Sequence, residues 1–204
     1  MYRNGWVFVK KVYNGPVITS STALKEWAAV VEALGAGQQL LLLRKGGILD
    51  PDGRFRVEHR EFLLFPTWEH QQESLIRPEF RQRFQGALRP PADSSWVTFL
   101  YYAGVGYETA VEDPAKLAGL EKYHIWAPEF FGKRLSYRPE EPTLALILRV
   151  YRLPKPVHLA VDPAYAGCKS WVPLKQPVAV EGGEPLMDNR KFRAALEKIS
   201  AQIG

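Results

Sequence analysis

Apolar residues recur at helical spacing in two stretches of the chain. Over residues 22–34 they stand three or four positions apart and Gly35 ends the pattern, so a helix is predicted there. Near the C-terminus, Asp188 is placed to cap a last helix. The apolar face of that helix consists of Phe192, Ala195, Leu196, Ile199 and Ile203. Shorter helices are predicted over 67–75, 113–120 and 128–135.

The remaining apolar residues form short runs that are typical of strands. The run 40–43 is too short for a helix and predicts a buried strand within 39–44. Pro66 is expected to end a strand over 61–65, because proline cannot donate to a ladder. Further strands are predicted over 54–57, 96–102, 143–153, 157–161 and 170–174. Together these elements predict an α+β domain: a curved antiparallel sheet or small barrel, with about four helices packed outside it.

The first 21 residues stand apart from this pattern. They hold a strand-like stretch, residues 6–12, and a turn signal at Asn14-Gly15-Pro16. The chain is therefore interpreted as an N-terminal arm or extension, residues 1–21, followed by a single domain, residues 22–204. A chain of 204 residues is long enough to bury most of its surface in one core.

The composition limits the class of protein. With 46% hydrophobic and 24% charged residues, a disordered or low-complexity chain is excluded. No apolar run approaches the length of a membrane helix, so no membrane partner is expected. The single cysteine, Cys168, excludes a disulfide framework and a multi-cysteine zinc site. A cytoplasmic protein without a metal or other cofactor is predicted.

The charge balance is mildly basic, with 27 basic and 22 acidic residues and a net charge of +5. That excess raises the expectation of a polyanionic partner. Six basic residues lie within 130–155, namely Lys133, Arg134, Arg138, Arg149, Arg152 and Lys155. A phosphate-facing stripe and an ordinary solvated surface both explain them, and both interpretations stay open.

The densest group of polar residues lies within 58–71. On a strand, His59 and Glu61 would point to one face, and His70 lies in the loop that follows. Together with Glu58 they are candidates for an acid–base or divalent-metal site. Their spacing matches no specific metal motif, so hydrogen-bonded structural histidines are the alternative interpretation.

A pair of glycines follows the predicted buried strand 39–44. Gly46 and Gly47 would let backbone amides point at an anion, and Arg44 and Lys45 add positive charge beside them. A plain turn is the alternative interpretation.

The segment 165–171 combines residue types that suit nucleic acid. Lys169 and Ser170 are suited to phosphate contact and Trp171 to base stacking. Cys168 lies in the same segment, and a buried structural cysteine is favoured over a nucleophile because no particular histidine can be assigned to it.

Six segments, in this order, resemble a known family. They read ALKEWA (23–28), LLLRKGGI (41–48), FLLFPT (62–67) with HQ (70–71), HIW (124–126), LRVYRLP (148–154) and GCKSW (167–171). They resemble the bacterial domain-of-unknown-function family 1802 from about residue 22 to the C-terminus. The resemblance implies a link to restriction–modification systems, because family members occur beside Mrr-type restriction endonuclease domains.

The leading hypothesis is a nucleic-acid-binding accessory protein that reads modified or non-standard bases in defence against foreign DNA. A compact barrel with an aromatic pocket and a basic rim would do this, and its fold would be similar to the PUA-like group. DNA is expected in preference to RNA, with a restriction-system protein as a second partner. The predicted interface consists of Arg44, Lys45, Gly46, Gly47, Thr67, Trp68, Gln71, Trp126, Arg134, Arg149, Lys169, Ser170 and Trp171.

Two other classes of function stay open. A metal-dependent nuclease would hold its metal with Glu58 or Glu61, although the lysine that commonly follows such an acid by two residues is missing. A scaffold that binds no ligand is the third interpretation. The sequence alone therefore leaves open whether the protein is an enzyme.

Overall fold

The structure, a computed structural model, describes residues 19–46, 49–117 and 119–204. In those ranges seven strands form one sheet in the order β2-β5-β4-β3-β1-β6, with β7 paired to β5. Their bounds are β1 Thr19–Trp27, β2 Leu41–Arg44, β3 Glu61–Thr67, β4 Trp96–Val111, β5 Thr143–Ala160, β6 Trp171–Ala179 and β7 Glu184–Pro185. β1 and β3 are parallel and every other pair is antiparallel.

Four α-helices accompany the sheet in the described part of the chain: α1 Ala28–Gly35, α2 Pro78–Arg83, α3 Pro128–Ser136 and α4 Asn189–Ile203. The predicted α+β class, with a curved sheet and about four helices, is confirmed. The sheet is mixed, and its path ends at β2 and β6, so it does not close into a barrel.

The predicted helix over 22–34 is wrong in its first half, which forms β1. Ala23 and Leu24 contribute to two different apolar clusters, so β1 is buried on both faces. A strand buried on both faces shows no alternation, and its apolar spacing then resembles that of a helix. Thr19, at the end of the predicted arm, already belongs to β1; the predicted stretch 6–12 lies outside the described residues.

Four further predictions need correction. Pro66 does not end its strand, because β4 pairs with β3 only as far as Leu63 and leaves one side of β3 open, where a proline is tolerated. Residues 54–57 form no strand, and the helix predicted over 67–75 is absent: Thr67 still belongs to β3, and only a 3₁₀ turn, Glu73–Leu75, follows. The strands predicted over 143–153 and 157–161 are one long strand, β5.

The last helix is confirmed. The Asp188 side chain accepts a hydrogen bond from the Lys191 N–H, and Ala195, Ile199 and Ile203 of α4 are buried. Within the described ranges, no helix combines the length and hydropathy that a membrane span needs.

Candidate functional site

Polar residues collect at the edge of the sheet where β1, β2 and β3 end. Because β1 and β3 are parallel, they end side by side, and β6 begins there with Trp171 opposite Leu24. We call this group the strand-end cluster. It consists of Lys25, Glu26, Arg44, Asp50, Glu69, His70, Cys168 and Ser170.

Arg44 is held firmly inside the strand-end cluster. Its guanidinium donates to the Glu26 carboxylate at 3.0 Å and to the Ser170 hydroxyl oxygen at 2.9 Å. Ser170 in turn donates to Asp50 through its backbone N–H, at 2.7 Å, and its hydroxyl, at 2.6 Å. Glu26, Asp50 and Ser170 are all buried. Two residues of the predicted interface, Arg44 and Ser170, are therefore adjacent in the structure. Their polar groups form hydrogen bonds that link distant segments of the chain.

The structure provides Cys168 with a histidine that the sequence could not assign. The Nε2 atom of His70 lies 3.1 Å from the Cys168 sulfur, although 98 positions separate the two residues. Beside them, the Lys25 ammonium donates to the Glu69 carboxylate at 3.1 Å and to the Gly167 carbonyl at 2.9 Å. His70 is exposed and Cys168 is half-buried, so the pair lies at the surface of the cluster.

Lys45 and Gly46 each contact another segment of the chain. The Lys45 ammonium donates to the carbonyls of Leu135, Tyr137 and Arg138 at 3.0, 2.7 and 3.1 Å, and these lie at the C-terminal end of α3. An ammonium has three donors, so none is left for a phosphate. Burial lowers the pKa of Lys45. Gly47 lies outside the described residues.

The four candidate acid–base residues are not brought together. Glu58 is exposed, His59 packs edge-on against Trp171 at 5.3 Å, and Glu61 accepts a hydrogen bond from the Tyr102 hydroxyl at 3.0 Å. His70 contacts Cys168 instead. Among the residues that the structure describes, no three of His, Cys, Asp and Glu lie close enough together to hold a metal ion.

Trp68 and Trp171, predicted as stacking surfaces, are packed into the fold. The Trp171 ring is 8% exposed, stacks on Phe55 at 5.9 Å and donates to the Arg56 carbonyl at 2.8 Å. Trp68 donates to the Ala87 carbonyl at 3.0 Å.

Thr67 and Gln71 also make local hydrogen bonds. The Thr67 hydroxyl oxygen accepts from the Glu69 N–H at 3.2 Å, and the Gln71 side chain accepts from the Ala29 N–H, in the first turn of α1, at 3.0 Å.

The remaining predicted phosphate contacts also point at protein. Arg149 donates to the Asn189 side chain at 2.8 Å and stacks over Phe192, at the start of α4. Lys169 donates to the Ala164 carbonyl. Arg134 lies over the Phe130 ring at 5.2 Å, and burial together with the nearby Arg44 lowers its pKa.

Trp126, a residue of the predicted nucleic-acid interface, lines a cavity. Beside α3 the structure has a cavity of about 300 Å³, which we call the α3 cavity. Its walls include Arg77, Glu121, His124, Trp126 and Phe131. Sequence reasoning named only Trp126 of these, although His124 stands two positions earlier in the HIW segment of the family resemblance.

Two buried side chains of this cavity have no hydrogen-bond partner among the described residues. His124 is 1% exposed and both its ring nitrogens are unpaired; Trp126 is 2% exposed and its indole N–H is unpaired. Burial, with a smaller contribution from Arg77, lowers the pKa of His124 to about 4. Its ring is therefore neutral at pH 7 and offers one donor and one acceptor. Buried polar groups are normally paired, so these unpaired groups indicate a place for a ligand.

Flat rings form the cavity wall. Trp126 stacks on Phe130 at 4.3 Å with an interplanar angle of 4°, and on His124 at 5.5 Å and 26°. Phe131 stands edge-on to His124 at 5.0 Å. Phe130 contacts Trp27, the last residue of β1, so α3 packs against the end of that strand. A planar ligand with polar edges suits such a wall.

The chain belongs to a protein family that matches its sequence over residues 23–198, described as Domain of unknown function (DUF1802). The family that the sequence resembles is thereby confirmed. Comparison with curated proteins finds no match.

Solved structures of one bacterial protein share a general likeness with the chain. The crystal structure of ASCH from Zymomonas mobilis is 10% identical, with 87% of this chain and 93% of that chain covered and a TM-score of 0.40. A mutant of the same protein is 9% identical, with 86% and 96% covered and a TM-score of 0.42.

Proposed function

We propose that the protein binds nucleic acid by receiving one base, turned out of its strand, in the α3 cavity. The observation that carries this proposal is the pair of buried, unpaired side chains, His124 and Trp126, in a wall of stacked rings. Enzymes and readers that extrude a base hold it by stacking and by hydrogen bonds to its edge. In this proposal the base stacks on the wall of rings and its edge pairs with His124 and Trp126.

The surroundings of the cavity support contact with the strand itself. Lys116, Lys122 and Lys133 are exposed, and each stands next in sequence to a residue of the cavity wall: Leu117, Glu121 and Gly132. Lys116 and Lys133 each donate one surface hydrogen bond, to the Gly204 carbonyl at 2.9 Å and to the Gln72 side chain at 3.1 Å, so each ammonium keeps further donors for a phosphate. Lysines beside a base pocket attract phosphates and fix the strand without reading its sequence. These lysines, rather than Arg44, Lys45, Arg149 and Lys169, are the phosphate contacts that we propose.

The finer parts of the proposal follow the family resemblance. We infer a cytoplasmic reader of a modified or non-standard base, with DNA as its preferred target and a restriction-type defence system as its setting. A restriction protein would then act on the DNA that carries the bound base.

The experiment that tests the proposal is fluorescence anisotropy with labelled single-stranded DNA, duplex DNA and RNA at low salt and micromolar protein. Trp126→Leu is expected to weaken binding about 5-fold or more, because it removes the unpaired indole N–H and the ring that supports His124 and Phe130 in the cavity wall. Trp96→Leu is the matched control, because Trp96 is 53% exposed on β4 and should be dispensable. Circular dichroism melts show whether each variant is folded.

A second variant distinguishes a loss of binding from a failure to fold. Phe131→Leu keeps Trp126 and its stack on Phe130 while it removes the edge-on ring of the cavity wall. Weaker binding by the folded Phe131→Leu variant supports the proposal. No binding of any oligonucleotide by the wild-type protein, or unchanged binding by both folded cavity variants, contradicts it.

A further inference from the structure

A histidine and a cysteine lie in contact at the surface of the strand-end cluster, and neither lines the α3 cavity. We infer that Cys168 is a peroxide-reactive thiol: His70 accepts its proton, and the sulfur then reduces a hydroperoxide. This inference concerns a different part of the molecule and does not depend on the proposed function.

Cys168 and His70 can serve as a nucleophile and its base. The Nε2 atom of His70 lies 3.1 Å from the Cys168 sulfur, within the reach of a hydrogen bond. A thiol becomes a strong nucleophile when it loses its proton, and a neutral imidazole at this distance can accept that proton. The two residues come from segments 98 positions apart, so the fold brings them together.

The surroundings of Cys168 differ from those of a structural cysteine. The sequence favours a buried structural residue, whereas Cys168 is half-buried and His70 is exposed. Among the described residues, Cys168 belongs to neither of the two buried apolar clusters. A small oxidant in water can therefore reach the sulfur, which a cysteine inside an apolar core would not allow.

Hydrogen bonds fix the segment that carries Cys168 on both sides of the thiol. The Lys25 ammonium donates to the Gly167 carbonyl at 2.9 Å, and the Lys25 N–H donates to the Ser170 carbonyl at 2.9 Å. The Leu49 N–H donates to the carbonyl of Cys168 itself at 3.2 Å. These donors belong to two distant segments, so the sulfur has a defined position.

His70 lies in a loop that is also tied to other segments. Its φ of 59° is in the left-handed region, which residues other than glycine seldom adopt. On one side of it the Glu69 carboxylate accepts from the Lys25 ammonium at 3.1 Å, and on the other side Gln71 accepts from the Ala29 N–H at 3.0 Å. Base and nucleophile are therefore oriented before a substrate arrives.

A hydroperoxide is the substrate class that needs no more than this pair. Its reduction uses one sulfur and one group that first accepts a proton and then returns it. Acyl transfer would also need donors for an oxyanion, and an internal disulfide would need a second cysteine, whereas the chain has one. Lys25 and Glu69 form an ion pair at 3.1 Å and add no net charge beside the pair, so the proton transfer relies on His70.

The proposed reaction balances in atoms and electrons. His70 Nε2 accepts the thiol proton, and the thiolate attacks the hydroxyl oxygen of the hydroperoxide. An S–O bond forms as the O–O bond breaks, and the leaving alkoxide, or hydroxide in the case of hydrogen peroxide, takes the proton from His70. Cys168 is oxidised by two electrons to a sulfenic acid, and the peroxide is reduced to an alcohol or water.

The test treats the folded protein with hydrogen peroxide at neutral pH and traps the sulfenic acid with dimedone, which intact-mass spectrometry detects. Because the chain has a single cysteine, one added dimedone reports Cys168. The wild-type protein should react about tenfold or more faster than N-acetylcysteine, since a positioned base contributes at least that factor. A protein that reacts no faster than N-acetylcysteine overturns the inference.

Two variants of His70 test its part in the reaction. His70→Asn should slow the trapping about tenfold or more, because asparagine tolerates a left-handed backbone but does not accept the proton. His158→Asn, at an exposed histidine of β5, should react like wild type. His70→Gly also suits this backbone, and imidazole added to the solution should restore part of its rate, which a merely structural role of His70 would not allow. His70→Asn that reacts as fast as wild type, or folded, slowed His70→Gly that does not respond to imidazole, contradicts the inference.

Discussion

A fully buried histidine with both ring nitrogens unpaired is an unfavourable arrangement for a folded protein. Leaving such a group without a partner costs about 1–3 kcal/mol. The low pKa of His124, about 4, expresses the same environment, since burial opposes the charged ring. The sequence names Trp126 as an aromatic surface, but it contains nothing that distinguishes His124 from an ordinary core histidine. Burial and the neighbouring rings, which come from tertiary packing, make that distinction.

The depressed pKa of His124 predicts a stability that falls with acid. Between pH 6.5 and 4 the unfolded chain takes up a proton on this histidine while the folded chain does not, so the free energy of unfolding decreases as pH falls. The difference amounts to roughly 3 kcal/mol across that interval. Urea titrations at several pH values measure it.

The control for that titration is His158→Gln, because His158 is exposed and should leave the acid-dependent loss intact. His124→Gln should remove most of the loss between pH 6.5 and 4. If the wild-type protein and His124→Gln lose stability in parallel, the histidine is accessible to protons in the folded state.

Gly46 has a structural role that differs from the predicted one. The sequence suggests a glycine that lets backbone amides meet an anion, whereas in the structure a Cβ at Gly46 would stand 1.8 Å from the Gly53 carbonyl oxygen. Two backbone segments therefore pass in contact at this point. Gly46→Ala should be strongly destabilising, by more than 2 kcal/mol, because backbone atoms cannot move aside cheaply.

Gly86→Ala is the matched control for this prediction, since a Cβ there has open space around it. Thermal melts of the two variants provide the comparison. Equal melting temperatures would show that the contact between the Gly46 and Gly53 segments relaxes easily.

Helices and strands whose bounds are set by neighbouring residues are predicted correctly from the sequence. The strand 39–44, the helix 128–135 and the capped C-terminal helix are confirmed because length, a leading proline and an Asp cap are local features. β1 is mistaken for a helix because its burial on two faces comes from β3 and β6, which are distant in sequence. The strand-end cluster depends on this same parallel pairing of β1 with β3, so its assembly was not predictable.

α3 is held at its C-terminal end by one side chain. Lys45→Met should leave the carbonyls of Leu135, Tyr137 and Arg138 without their shared donor and lower the free energy of unfolding by about 2–3 kcal/mol. Lys133→Met, on the exposed side of the same helix, should change stability by less than about 0.5 kcal/mol. Denaturant melts test both variants. A Lys45→Met variant as stable as wild type would mean that water replaces the ammonium without loss.

For the whole molecule, the arrangement of charge differs from what the sequence suggests. The six basic residues of 130–155 do not form one stripe, because Arg134, Arg138 and Arg149 are directed at the Phe130 ring, the Gly53 carbonyl and the start of α4. A formal net charge of +5 therefore overstates the positive charge available to a strand. Lys116, Lys122 and Lys133 are exposed beside the α3 cavity.

That arrangement predicts a modest salt dependence of nucleic-acid binding. Each phosphate contact on a single strand contributes about −0.7 to the slope of log affinity against log salt, so Lys116, Lys122 and Lys133 together give a slope of about −2. Affinity for single-stranded DNA should thus fall about 20-fold between 50 and 200 mM salt. The double variant Lys122→Ala, Lys133→Ala should reduce the slope to about −0.7, while Lys155→Ala, an exposed lysine on β5, should leave it unchanged. Anisotropy titrations at four salt concentrations measure each slope. A wild-type slope steeper than about −4 would mean that the arginines of the strand-end cluster and β5 also reach phosphates, and that the strand crosses the sheet edge as well as the cavity.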